Sequence, residues 1–143
     1  KKRAGTENLA AIVGMVAALK EDLNDQVEHY QKLSALKSTF LEEIAGLDYY
    51  LNESNHQLPY VVNIGFPGQK NDLLLLRLDL EGISISTGSA CTAGIVQTSH
   101  VLEAFYGPNS HRLKESVRIS LSPLNTEVEL KQLAQTLKNI IGD

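Results

Sequence analysis

The chain has 143 residues, 43 % of them hydrophobic and 21 % charged, a balance that suits one soluble domain with its own core. Its net charge of -4, with Lys1-Lys2-Arg3 as the one basic cluster, argues against nucleic acid as a partner, because phosphate contacts need clustered cations. The longest apolar run, Leu73-Leu74-Leu75-Leu76, falls far short of the ~20 residues of a membrane span, nothing N-terminal resembles a signal peptide, and a single cysteine closes no internal disulfide.

A cytoplasmic protein with no membrane segment is therefore the expectation. From Asn8 to about Ile44, apolar residues including Leu9, Ile12, Val16, Leu19, Leu23, Val27, Leu33, Phe40 and Ile44 recur at three- and four-residue spacing. No proline interrupts them, so the segment is predicted to be helix. Residues 8 to 44 would extend roughly 55 Å as helix, whereas a compact chain of this length is about 40 Å across. The helix is expected either to bend, around Ser34-Ala35 or Ser38-Thr39, or to reach beyond its own domain. Ala10, Ala11, Gly14, Ala17 and Ala18 in its first turns suit close packing against a partner element.

After Gly46 the pattern changes to shorter pieces. Tyr60 to Phe66 alternates like a strand, Pro67-Gly68 reads as a turn, and Asp72 to Leu80 as a short helix ending near Gly82. A strand around Ile83 to Ser86, a helical piece from Ser99 to Phe105 and a Gly107-Pro108-Asn109 turn follow. In Ser116 to Leu121, Val117, Ile119 and Leu121 face one way, and Ser116, Arg118 and Ser120 the other. Thr126 to Ile141 closes as an amphipathic helix capped by Thr126 or Asn125. The order predicts an α+β fold, a small β-sheet packed against helices with a long N-terminal helix.

Cys91 lies in Ser86-Thr87-Gly88-Ser89-Ala90-Cys91-Thr92-Ala93-Gly94, where nothing is large enough to bury a thiol. A structural cysteine packs among large apolar side chains, whereas a reactive one sits where a thiolate can form and be reached. Cys91 is thus a candidate nucleophile, the bland alternative being a chance cysteine in a serine-rich turn. Arg118 on strand alternation alone reads as a solvated surface arginine. Thr6, ahead of the long helix, reads as an N-cap or an anion-binding hydroxyl. His29, His56, His100 and His111 lack metal-site spacing, although His100 follows the cysteine loop and is placed to tune a thiol. The leucine run at 73 to 76 reads as core, and Glu42-Glu43 and Glu127 with Glu129 as solvated helix faces.

Three pieces in order, Arg3-Ala4-Gly5-Thr6-Glu7-Asn8, Ser86-Thr87-Gly88-Ser89-Ala90-Cys91 and Val117-Arg118-Ile119-Ser120-Leu121, make the chain similar to the C-terminal part of a cysteine desulfurase of the pyridoxal-phosphate-dependent class V aminotransferase family. The Gly-Ser-Ala-Cys form and the long segment before Ser99-His100-Val101-Leu102 resemble the long-loop branch that supplies iron–sulfur assembly and tRNA thiolation. The resemblance implies that residues 1–143 are the C-terminal small domain of a fold-type I transferase, with residues 1–45 a helical segment linking to a cofactor-binding large domain. It implies that a Cys91 thiolate takes sulfur from L-cysteine as a persulfide and that L-alanine leaves. A protein acceptor, an iron–sulfur scaffold or a tRNA-thiolation protein, then takes the sulfur. Arg118 would bind the substrate carboxylate. Thr6 would contact the cofactor phosphate from the neighbouring subunit of a homodimer.

The family's Schiff-base lysine, in a Ser-x-His-Lys setting, has no match; Ser110-His111-Arg112-Leu113-Lys114 is the nearest echo and lies on the wrong side of the cysteine. The chain is therefore expected to be a fragment, inactive alone. The alternative is a non-catalytic sulfur carrier or scaffold module that relies on another protein for the cofactor.

Overall fold

A computed structural model of the chain describes residues 5–54, 57–88 and 98–142. Helix α1 (Leu9–Glu43) is capped by Asn8, whose side chain accepts from the Ala11 N–H at 3.1 Å. It runs unbroken through both expected bends. The Ser34 hydroxyl donates to the Tyr30 carbonyl at 2.8 Å and so is satisfied within the helix. Of the two expectations, reach is the one observed, since 35 residues extend about 52 Å. Only Leu33, Leu36 and Phe40 of α1 are buried, while Leu9, Val13, Met15, Leu19, Leu23 and Val27 are each more than half exposed. No helix among the described residues is long and apolar enough to cross a membrane.

Three antiparallel strands form one sheet in the order β1 (Tyr50–Leu51), β2 (Val61–Gly65), β3 (Ser116–Ser120). β2 and β3 pair in a register that sets Val62 opposite Ile119 and Asn63 opposite Arg118. The strand expected at Ile83 to Ser86 reduces to one bridge, Ser86 against Arg118. The reason is local: the Ile83 N–H still bonds the Leu78 carbonyl at 2.9 Å, so the segment remains tied to the preceding helix and meets the sheet only at Ser86.

On one face of the sheet Val62, Ile64, Val117, Ile119 and, just beyond the strands, Phe66 and Leu121 are buried. Against them pack the C-terminal end of α1, Leu74 and Leu78 of α2 (Asn71–Leu80), and Leu130, Leu133, Ala134 and Leu137 of α5 (Glu127–Ile141). The expected α+β arrangement of a small sheet on helices is thus observed. The leucine run is not uniformly core: the i, i+4 pair Leu74 and Leu78 faces in, whereas Leu73 and Leu76 are 54 % and 56 % exposed. α5 starts with a reciprocal capping box between Thr126 and Glu129, which leaves Thr126 rather than Asn125 as the cap. Because those bonds favour the ionised form, the Glu129 carboxyl is held below its ordinary pKa, with the backbone bond from Thr126 the largest cause.

The opposite face carries α3 (His100–Tyr106) and α4 (Arg112–Glu115) near β1. Gly65 is required there. A Cβ on it would come within 2.2–2.4 Å of the Tyr50 ring and hydroxyl, which lie across it. That ring is not free to swing away, since the Arg112 guanidinium stacks on it at 4.2 Å and its hydroxyl bonds Glu115 at 3.3 Å. Gly65→Ala should therefore destabilise the fold by about 1–3 kcal/mol through overpacking. Denaturant unfolding measures this; an unchanged midpoint would mean that the Tyr50 ring moves without cost.

Candidate active site

Strand pairing sets a transverse row of four polar side chains across the outer face of the sheet: Asn52, Asn63, Arg118 and Ser86. Asn52 joins because its N–H bonds the Asn63 carbonyl at 2.8 Å, one step beyond β1. Ser86 joins because it exchanges both backbone bonds with Arg118, at 3.0 and 2.7 Å. Arg118 thus spends its backbone groups on Ser86 and meets Asn63 as a non-hydrogen-bonded pair. In such pairs the side chains stand closest.

The Arg118 guanidinium is oriented by the same neighbour. Its Nε–H donates to Ser86 Oγ at 3.1 Å, and Ser86 Oγ in turn donates to the Arg118 carbonyl at 3.2 Å. Nη1 and Nη2 have no partner among the described residues. This leaves the planar end of the fork, two nitrogens in one plane, presented to a ligand, the geometry that binds a carboxylate bidentately. At the other end of the row, Asn52 Nδ2 donates to Asn63 Oδ1 and to Ser116 Oγ, both at 2.9 Å. Its own Oδ1 is buried with no partner, a cost of about 1–3 kcal/mol tolerated by this network.

The network is braced from below. Arg112 lies between the Tyr50 and Tyr106 rings, at 4.2 and 4.5 Å from their centroids, and so joins α3, α4 and β1. Glu115 accepts from the Gly68 N–H at 3.0 Å as well as from the Tyr50 hydroxyl. Burial, opposed by the bond to Ser116 and reinforced by the Glu115 charge, raises the Tyr50 phenol above its ordinary pKa of 10.0. Tyr50 is accordingly a neutral hydrogen-bonding group at physiological pH. A cleft of about 390 Å³ opens at the Asn52–Asn63 end of the row, lined by these two with Tyr60, Val101 and Phe105 among others. Among the described residues that line it, the one acidic side chain, Glu53, is paired with Lys37 at 2.6 Å and so is not free to compete for a cation.

The expected site residues separate in space. Arg118 faces away from the core, as strand alternation predicts, and is half-buried rather than freely solvated. Thr6 is exposed at the N-terminal end of α1, beside Gly5 and Glu7 in a hollow of about 350 Å³. Asn8 takes the capping role, so the reading of Thr6 as an N-cap is corrected. Thr6 and Arg118 do not come together, because the sheet packs on the far, C-terminal end of the same helix. Cys91 and His56 lie outside the described residues. Ser86, which holds Arg118, opens the Cys91 motif. His100 begins α3, and Ser99 caps it by accepting from the Leu102 N–H at 3.3 Å. No group of histidine, cysteine and acidic residues suited to a metal ion occurs among the described residues. Asn52 and Asn63 escaped the sequence reading; the alternation that singled out Arg118 also marks Asn63, once β2 is known to be its neighbour.

A model of the class-V aminotransferase family matches residues 1–133. The chain belongs to that family. Among its relatives, a Bacillus subtilis protein named as IscS 1 is 40 % identical over 144 residues, covering 99 % of this chain and 38 % of the relative. The Dictyoglomus turgidum cysteine desulfurase IscS is 36 % identical, covering 98 % of this chain and 36 % of its own length. The solved structure of a NifS-like protein from Rickettsia africae superposes with a TM-score of 0.81 at 27 % identity, over 99 % of this chain and 37 % of that one. The chain thus spans little more than a third of the curated relatives it matches.

Members of this family use pyridoxal phosphate, and the residues described here do not amount to a site for it. No described lysine lines the cleft at Asn52 and Asn63. The row offers a carboxylate fork and amide donors, groups that bind a substrate's acid end, but not the amine that would hold the cofactor.

Proposed function

We propose that this chain is the C-terminal part of a pyridoxal-phosphate-dependent cysteine desulfurase in which Arg118 binds the carboxylate of L-cysteine and Cys91 accepts its sulfur. The observation that carries the reading is the guanidinium end presented by Arg118, oriented by Ser86 at the root of the Cys91 motif. A carboxylate bound there lies beside Ser86, five residues ahead of Cys91 in the sequence. The Cys91 thiolate attacks the substrate sulfur, an S–S bond forms and the substrate C–S bond breaks. The electron pair of that bond stays with the three-carbon product, which takes up a proton to become L-alanine, while Cys91 is left as a persulfide. Pyridoxal phosphate, held by protein outside these residues, would supply the electron sink for that bond cleavage.

Residues 1–45 then form the helical link to the cofactor-binding large domain, and the exposed apolar residues of α1 supply a surface for it. Thr6 contacts the cofactor phosphate of the neighbouring subunit in a cytoplasmic homodimer, and the persulfide sulfur passes to an iron–sulfur scaffold or a tRNA-thiolation protein. Support for this assembly comes from the similarity to cysteine desulfurases over the whole chain.

Arg118→Lys tests the substrate end. An ammonium keeps the charge and cannot make two parallel bonds to one carboxylate. In the complete enzyme the change should weaken L-cysteine engagement by about 1.5–3 kcal/mol, the range for a hydrogen bond to a charged group. Substrate-dependence of alanine release reads it. An unaltered dependence would make Arg118 a surface residue.

A further inference from the structure

We propose that Asn63 is a second substrate-binding residue, donating from Nδ2 to the same carboxylate that Arg118 holds. This rests on the reading of Arg118 as the carboxylate ligand. Asn63 stands opposite Arg118 in the β2–β3 register. Because the Arg118 backbone bonds go to Ser86, the pair is non-hydrogen-bonded, with Cα atoms about 4.5 Å apart and side chains on one face.

The Asn63 amide is fixed in direction. Its Oδ1 accepts from Asn52 Nδ2 at 2.9 Å, and Asn52 is itself held by Ser116, which leaves the Asn63 Nδ2 with no acceptor among the described residues. Asn63 lines the cleft, so these two N–H donors are open to a ligand. A carboxylate has about four lone-pair sites. Two are met by the Arg118 fork, and a third lies within reach of a neighbouring amide. The Lys37 pairing of Glu53, the one carboxylate among the described lining residues, keeps it from competing.

Asn63→Ala and Asn63→Asp in the complete enzyme separate binding from support. Aspartate keeps an oxygen for Asn52 and so preserves the internal bond, while it replaces the donor by a negative charge facing the substrate carboxylate. Alanine removes both. The proposal expects the apparent KM for L-cysteine to rise about tenfold in Asn63→Ala and further in Asn63→Asp, with inhibition by cysteamine, which has the amine and thiol but no carboxylate, unchanged in both. A purely supporting role predicts the reverse order, with Asn63→Asp near the parent and cysteamine inhibition falling with L-cysteine binding; that result overturns the proposal. If Arg118→Lys leaves KM unmoved, the underlying reading fails. If Arg118→Lys raises KM and neither Asn63 variant does, only the Asn63 assignment fails.

Discussion

In the complete enzyme, Cys91→Ser should abolish persulfide formation and alanine release while L-cysteine still binds. The substitution removes one sulfur atom and leaves the Arg118 fork and its Ser86 support in place. A serine hydroxyl cannot stand in, because it is scarcely ionised near neutrality and sulfur acceptance that can later be reversed requires a thiol. The loss should reach the background rate rather than a modest reduction, since the step has no alternative acceptor within this chain: Cys91 is its one cysteine. Binding and turnover should therefore separate. Alanine release at the parent rate from the serine variant would exclude Cys91 as the acceptor.

Phe40→Ala should be among the most damaging single changes to the fold. Phe40 is fully buried where the end of α1 meets the sheet and α5. Truncating such a side chain removes its transfer free energy and leaves a cavity, about 3–5 kcal/mol together. Domains of this kind are stable by only about 5–15 kcal/mol, so a large share of the stability would be lost. The consequence reaches function, because the same residue fixes the exposed part of α1 to the domain. Val128→Ala, at an exposed position of α5, is the control and should shift the denaturation midpoint little. Equal losses from the two substitutions would contradict the packing described here.

The elements visible in the sequence are those with enough residues to show a period. The long helix, β2, α2, α3, β3 and α5 each repeat their apolar pattern at least once within their span. β1, at two residues, and α4, at four, are too short to repeat anything and leave no periodic signal in the sequence. The segment from Ile83 has the apolar alternation of a strand, yet its backbone is committed to the end of α2, a tertiary competition that no local pattern displays. Residues 73 to 76 are not uniformly buried, since a helix surface only a few residues wide cannot turn four consecutive leucines inward.

For the candidate site, one residue of the row was legible and its neighbours were not. Arg118 stands in a motif and on the polar face of a strand, so both kinds of reading reach it. Asn52 and Asn63 gain meaning only from register: Asn63 sits opposite Arg118 because of how β2 and β3 pair, and Asn52 joins through a bond beyond the end of β1. Thr6 was reached by motif alone. Its distance from the sheet follows from the unbroken length of α1, which puts the two ends of one helix in different surroundings.

The most direct measurement of the central claim is peptide mass spectrometry of the complete enzyme after a single exposure to L-cysteine without an acceptor. One additional sulfur atom is expected on the peptide containing Cys91, formed in step with one equivalent of alanine and removed by reductant. Alanine formed in the same amount with the sulfur on a cysteine elsewhere in the protein, and the Cys91 peptide unmodified, would contradict it.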